Sequence, residues 1–310
     1  MQATMLLIGA RGFAGAHVRE AAESAGLRVL AAGREPGGDG LRCDLLDPAS
    51  VGSCVEAAAP GLVVNMAGAA SVAASWERPG EAFAVNAGGV LNLLEAVARH
   101  APGAHILCVS SAEVYGEPSE ERLPFGEELA LEPITPYGAS KAAMEVLCDS
   151  YARGRGLRIA TIRAFNQIGP GQSPAFAASG FARQIAAAEA AGADRVELAV
   201  GNLAAARDFT DVRDTARAFV AVSQRQLTGA YNLCSGAPLK LEALVEEMAK
   251  ATPLPLEVVP DPSLTRPAAP SVVYGNPARL REATGWASEI PLSQSVADLL
   301  DWWRAELATA

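Results

Sequence analysis

Met5-Leu6-Leu7-Ile8-Gly9-Ala10-Arg11-Gly12-Phe13-Ala14-Gly15 is the run on which the fold turns. Its four apolar residues, 5–8, read as a short buried strand closed by Gly9. Residues 14–25 follow with helical spacing (Ala14, Val18, Ala21, Ala22), and residues 27–32 form a second apolar run. Strand, helix and strand within about 30 residues make the βαβ unit of a parallel sheet. Glycines between strand and helix let the backbone turn tightly and approach a pyrophosphate, which then rests on the helix N-terminus. Gly9, Arg11, Gly12, Phe13, Ala14 and Gly15 are therefore candidate dinucleotide-binding residues.

The alternation continues outward from that unit. Helices are expected near 48–59, 83–100 and 137–153, and strands at 62–65, 106–110 and 158–163, with a long loop at 116–136. Right-handed crossovers then give an α/β fold, a doubly wound parallel sheet of Rossmann type. After residue 165 the rhythm breaks. Residues 169–180 are rich in Gly, Pro and Ser, an Ala-rich helix is expected near 181–191, and six prolines between 253 and 270 imply loop or edge structure. Residues 1–166 are read as the dinucleotide-binding domain, with segments near 205–235 returning to it. Residues 167–310 are read as mainly a smaller substrate-binding domain.

A chain of 310 residues with half its residues apolar and 19% charged can bury a large core without staples. The net charge of −10 argues against nucleic acid or an anionic membrane as a partner. An anionic ligand would need local arginines. Five widely spaced cysteines without a CxxC pair suit buried thiols in a reducing cytoplasm and no metal site. The N-terminal run lacks a basic leader and cleavage site, and no stretch reaches the ~20 apolar residues of a membrane span. The expectation is a soluble cytoplasmic protein.

The glycine spacing is GxxGxxG, which resembles the extended short-chain dehydrogenase/reductase family. The second strand runs into Gly33-Arg34 with no carboxylate to hold a ribose 2′-hydroxyl. Arg34 and Arg11 suit a 2′-phosphate instead, so NADP is expected, with NAD use left open. The resemblance implies that Asp44 meets the adenine amino group with the Leu45 backbone alongside; a helix N-cap is the other role for Asp44, though Asp47 fills it better. Ala67, Gly68 and Ala69 supply small residues where backbone meets cofactor. Asn86 would buttress the active site, or serve as a buried structural asparagine. Ala164 joins the expected cofactor set.

Tyr137-Gly138-Ala139-Ser140-Lys141 puts a phenol and an ammonium at i and i+4 on one helix face. The ammonium is expected to lower the phenol pKa, making Tyr137 a proton donor to a carbonyl as hydride arrives. Lys141 would also bond the nicotinamide ribose. Ser111, at the end of Cys108-Val109-Ser110-Ser111, can hold the reacting oxygen. Glu113 lies two residues on. Nucleotide-sugar 4,6-dehydratases of the family carry a catalytic Glu there, while a carboxylate that binds a sugar hydroxyl is the alternative.

Arg163-Ala164-Phe165-Asn166-Gln167-Ile168-Gly169-Pro170-Gly171-Gln172, Phe181-Ala182-Arg183-Gln184-Ile185, Arg207-Asp208-Phe209-Thr210-Asp211-Val212-Arg213-Asp214 and Arg266-Pro267 resemble GDP-4-dehydro-6-deoxymannose reductases, over nearly the whole chain. The resemblance implies a nucleotide-diphosphate sugar held by Asn166, Arg183, Arg207 and Arg266, besides Ser111 and Glu113. It also implies a homodimer built by helix packing. The chain departs from the RPFNHIGPG pattern at Ala164 and Gln167, and has Asn65-Met66-Ala67-Gly68 in place of HLAA. The expected reaction is reduction of the C4 ketone of GDP-4-keto-6-deoxymannose to GDP-rhamnose. A nucleotide-sugar dehydratase or C4-epimerase, or a non-catalytic cofactor-binding protein, are the rival readings.

Overall fold

A computed structural model describes residues 4–35, 37–38, 40–117, 119–264 and 271–309. In chain order the first half runs β1 (Thr4–Ile8), α1 (Phe13–Ser24), β2 (Arg28–Gly33), β3 (Leu41–Arg42), α2 (Pro48–Ala58), β4 (Leu62–Asn65), α3 (Val72–Glu77), α4 (Pro79–Phe83), a π-helical turn (Ala84–Gly88), α5 (Gly89–His100), β5 (His105–Ser111), a 3₁₀ turn (Ala112–Tyr115), α6 (Pro136–Arg155) and β6 (Arg158–Ala164). The second half adds β7 (Asn166–Ile168), α7 (Ala177–Ala190), β8 (Val196–Val200), β9 (Ala206–Asp211), α8 (Val212–Arg225), β10 (Gly229–Leu233), β11 (Pro238–Lys240), α9 (Leu241–Ala251), β12 (Leu256–Pro260), β13 (Val272–Val273), α10 (Ala278–Thr284) and α11 (Leu292–Thr309).

Seven parallel strands form the main sheet in the order β10-β6-β5-β4-β1-β2-β3. Alternation along β1 explains its two-sided burial. Leu6 and Ile8 pack with Val51 and Val55 of α2, Leu93 and Val97 of α5, and Met144 of α6. Met5 and Leu7 pack on the opposite face with Val18 of α1, Phe219 of α8 and Trp286. The strand order reverses between β1 and β4, so the loops leaving their carboxyl ends part and open a crevice.

Smaller sheets carry the rest. β9 pairs antiparallel with β11 and parallel with β13 and β7, while β12 pairs with β8 as a separate two-stranded ribbon. Thus part of the proline-rich stretch is a short edge strand. Helices α7, α9 and α11 close a third core around Phe181, Ile185, Leu198, Leu244, Met248 and Trp303.

The helix expected at 83–100 begins differently. Pro79 starts α4, and the backbone widens into the π turn before α5. All five cysteines are buried and free. Among the described residues no helix is long and apolar enough to cross a membrane, and no group of side chains has metal-ligand geometry.

Candidate active site

The glycine turn sits at the reversal point. Gly9 has φ 83°, where an L side chain is strained, and a Cβ on it would lie 2.7 Å from the Ala67 nitrogen after β4. Gly15, on the first turn of α1, packs on the Gly9 carbonyl so closely that a Cβ would fall 2.1 Å from its oxygen. Helix α1 starts at Gly12 with no side-chain cap and no acidic residue in its first turn. Its leading N–H groups are therefore offered to an anion.

Arg11 and Arg34 flank that loop, both exposed. Arg11 Nη1 donates to the Glu35 carbonyl at 3.2 Å, which turns its side chain toward the end of β2. Among the described residues neither arginine has an ion-pair partner. Asp44 is half-buried, and its Oδ1 accepts from the Leu46 N–H at 3.1 Å. Asp47 takes the N-cap of α2, accepting from the Ala49 N–H at 3.0 Å. Leu45 is buried beneath α5, and its carbonyl accepts from Asn92 Nδ2 at 2.8 Å.

Asn86 joins the crevice wall to the reacting helix. Its Oδ1 accepts from the Ala69 N–H at 2.9 Å, and its Nδ2 donates to the Ala69 carbonyl at 3.1 Å and to Ser140 Oγ at 2.9 Å. This buried amide lies within the π turn. Gly68 leaves the space between: a Cβ there would meet Asn86 Oδ1 at 2.8 Å and Lys141 Nζ at 3.2 Å.

Helix α6 is started by Thr135, whose Oγ1 accepts from the Gly138 N–H at 3.0 Å, and by Pro136 in its first turn. That start puts Tyr137 and Lys141 against the carboxyl end of β5, 8% and 3% exposed. Tyr137 is anchored through its own N–H, which donates to Ser75 Oγ of α3 at 3.1 Å. Its hydroxyl is hydrogen-bonded with Ser111, and the Glu113 carboxylate is close enough to act on it. Ser111 Oγ also accepts from the Glu113 N–H at 3.2 Å, at the start of the 3₁₀ turn. Lys141 Nζ donates to the Val109 carbonyl at 3.0 Å.

Electrostatics depart from the sequence expectation for the phenol. Burial pushes Tyr137 up to about 12; the Ser111 bond works against this and the Glu113 charge adds to it. Lys141 is not what governs the phenol here. Burial instead lowers Lys141 itself to about 8, with Cys108, Cys148 and Glu145 opposing. The phenol is thus firmly protonated, while the amine is poised near neutrality.

On the substrate side, Ala164 ends β6 and is buried. Asn166 pairs with Phe209 across β7 and β9, and Arg207 stands two residues before Phe209, so the three share one sheet face. Arg207 Nη1 donates to the Ala206 carbonyl at 2.7 Å. Arg183 is exposed on α7 and lies over the Trp303 indole, 5.7 Å from the ring centroid. Arg266 lies outside the described residues.

Sequence reasoning missed Ser75 and Ser140, which fix the two ends of this arrangement. It also missed Glu145 and Arg163, a buried pair beneath the triad with Nη2–Oε2 at 2.8 Å. Ser140 lies inside the motif already singled out, and Glu145 follows Lys141 by the helical i+4 interval, so spacing held a signal for both.

A dinucleotide crevice with a protonated phenol, a serine and a lysine at its mouth defines an NAD(P)-dependent oxidoreductase of the extended short-chain type. By its match to the family model described as GDP-mannose 4,6 dehydratase, over residues 6–299, the chain belongs to that family. It is 38% identical over 267 residues to GDP-6-deoxy-D-mannose reductase of Pseudomonas aeruginosa, covering 86% of this chain and 87% of that protein. It superposes on the structure of RMD from Pseudomonas aeruginosa complexed with NADPH with a TM-score of 0.86 at 35% identity, covering 98% of this chain and all of that one. The Thermus thermophilus UDP-glucose 4-epimerase complex with NAD gives a TM-score of 0.86 at 28% identity, covering 97% of this chain and 99% of that one.

Proposed function

We propose that the protein uses NADPH to reduce the C4 ketone of GDP-4-keto-6-deoxy-D-mannose to GDP-D-rhamnose. The observation that carries this reading is the Tyr137 phenol, kept protonated by burial, hydrogen-bonded with Ser111 and set one helical turn from Lys141. Similarity to GDP-6-deoxy-D-mannose reductase over most of both chains supports the substrate class.

The crevice fits the cofactor. Gly9 and Gly15 leave no room for side chains where the backbone must turn, and α1 opens uncapped toward a pyrophosphate. Arg11 and Arg34 would hold a 2′-phosphate, Asp44 and Leu45 the adenine, Ala67 to Ala69 and Ala164 the nicotinamide end. Reduced nicotinamide supplies the hydride when bound. Tyr137 gives its proton to the C4 oxygen as the carbonyl becomes an alcohol. Ser111 donates a hydrogen bond to that oxygen and Glu113 receives a sugar hydroxyl. Lys141 positions the nicotinamide ribose and returns positive charge toward the phenolate. Asn166 and Arg207 bind the diphosphate, joined by Arg183 and Arg266.

Two features favour a second reading, a nucleotide-sugar 4,6-dehydratase or C4-epimerase: Glu113 bears on the phenol, and the family model bears a dehydratase description. One experiment separates them. Purified protein is mixed with GDP-4-keto-6-deoxymannose and NADPH, and absorbance of the reduced cofactor is followed. Stoichiometric consumption supports the reductase. Protein that arrives with NAD(P) bound and converts a nucleotide sugar without net consumption supports the alternative.

The same reading assigns residues 1–166 and the returning strand β10 to cofactor binding, and 167–310 mainly to the substrate. It places the enzyme in the cytoplasm as a homodimer. Exposed Phe83, Leu91 and Val146 on α4, α5 and α6 support helix packing as the mode of association.

A further inference from the structure

Glu145 and Arg163 form a buried ion pair directly under the reacting residues, 7% and 5% exposed. Arg163 Nε reaches both carboxylate oxygens at 3.1 Å, and Nη2 reaches Oε2 at 2.8 Å. The remaining Arg163 donor, Nη1, bonds the Tyr115 hydroxyl at 2.9 Å and the Glu127 carbonyl at 3.2 Å. Ser110 Oγ donates to Glu145 Oε1 at 2.5 Å. This cluster touches every element that carries the triad. Glu145 lies on α6, one turn beyond Lys141 and two beyond Tyr137. Ser110 precedes Ser111 on β5. Arg163 stands opposite Ser110 on β6, and Ala164 opposite Ser111.

Charge adds a second consequence. Lys141 is packed among Cys108 of β5, Cys148 and Glu145 of α6, and the amide of Asn86, with Arg163 beyond Glu145. Two cations therefore share one carboxylate in a dry region. The Glu145 carboxylate favours the proton on Lys141, and the guanidinium paired to it bidentately adds an opposing field, so each partner acts on the amine with opposite sign.

We infer that Glu145 and Arg163 are positioning residues which hold α6 in register with β5 and β6 and set where Lys141 gives up its proton. The inference rests on the reaction proposed above for its kinetic meaning only. Removing the carboxylate charge leaves Arg163 uncompensated beside Lys141, and removing the guanidinium leaves Glu145 unshared. The two changes must act on Lys141 in opposite directions.

The test reads Lys141 directly. The sequence holds three lysines, Lys141, Lys240 and Lys250, so ¹³C-lysine protein gives three Cε resonances, assigned with Lys240→Arg and Lys250→Arg. Glu145→Gln is expected to lower the Lys141 titration midpoint by about one pH unit, and Arg163→Gln to raise it by a similar amount. Glu145→Asp keeps the charge and is expected to restore the midpoint toward wild type while kcat stays reduced. The alkaline limb of kcat should move with the resonance. Either folded charge variant whose midpoint stays with wild type would overturn the inference. So would collapse of all three variants, because the pair would then be a condition of folding rather than of protonation. The titration needs no substrate, so it stands whether or not the protein consumes NADPH with the GDP-ketosugar.

Discussion

Lys141 Nζ donates to the Val109 carbonyl at 3.0 Å, two residues before Ser111 on the same strand. The bond ties the amine to the strand end that also carries the serine. Burial of that amine and of the phenol beside it shapes most of what can be measured.

Replacing Tyr137 with Phe removes the proton donor and keeps the ring. Turnover of the ketone is expected to fall about 10²–10⁴-fold. NADPH affinity, followed by quenching of intrinsic fluorescence, should change little. A variant that retains near wild-type turnover would remove Tyr137 from the chemistry.

The pH profile follows from the direction of the Lys141 shift. Its ammonium is depressed to about 8, whereas Tyr137 stays protonated to about 12. Reduction needs both protons in place, so kcat is expected to hold below about pH 8 and decline above it as Lys141 discharges. A profile flat through pH 10 would contradict this.

Lys141→Met should trade activity for stability. A lysine with a lowered folded-state value costs stability wherever it is charged. That cost is present in full below about pH 8 and is relieved as pH rises toward the ordinary value of 10.5, because the unfolded chain binds the proton more tightly in that window. Methionine removes it, and thermal unfolding at pH 7 is expected to show a gain of about 1–3 kcal/mol alongside near-complete loss of turnover.

Cofactor choice is expected to rest on Arg34 with Arg11. Arg34→Gln removes a charge-assisted contact to the 2′-phosphate, raising KM for NADPH about 10–100-fold and leaving NADH almost unaffected. Equal effects on both cofactors would show that Arg34 does not read the phosphate.

Gly15→Ala tests the turn itself. The added carbon would sit 2.1 Å from the Gly9 oxygen, so α1 must move off the loop. Loss of NADPH binding with a drop in stability of about 1–3 kcal/mol is expected, read by cofactor titration and thermal melting.

The features legible in the chain beforehand are local ones. Gly9 to Gly15, Ser111, and Tyr137 with Lys141 each state their chemistry within one turn or one helical step, and the elements around them appear close to where periodicity puts them. What escaped was set by distance in the chain. The buttressing role of Asn86 was expected, but its partners Ala69 and Ser140 lie 17 and 54 residues away, and the π turn that carries it was not signalled by periodicity. Strands β7, β9, β11 and β13 pair over short lengths with remote partners, which two-residue patterning cannot reveal. The phenol departs from the sequence expectation for a related reason: adjacency to Lys141 along the helix is visible in sequence, but the depth of burial is not.

The position of β10 has a bearing on how the molecule is made. This strand, residues 229–233 and the last of the main sheet in chain order, lies against β6 and contributes Tyr231 and Leu233 to the core shared with Phe219 of α8. A polypeptide stopped at residue 166 would leave β6 as a raw border without the cover that Phe219, Tyr231 and Leu233 give one of its faces. During translation the nucleotide-holding layer can be sealed only after some seventy further residues have emerged, so a genetic split near 166 should yield two insoluble halves rather than two working modules.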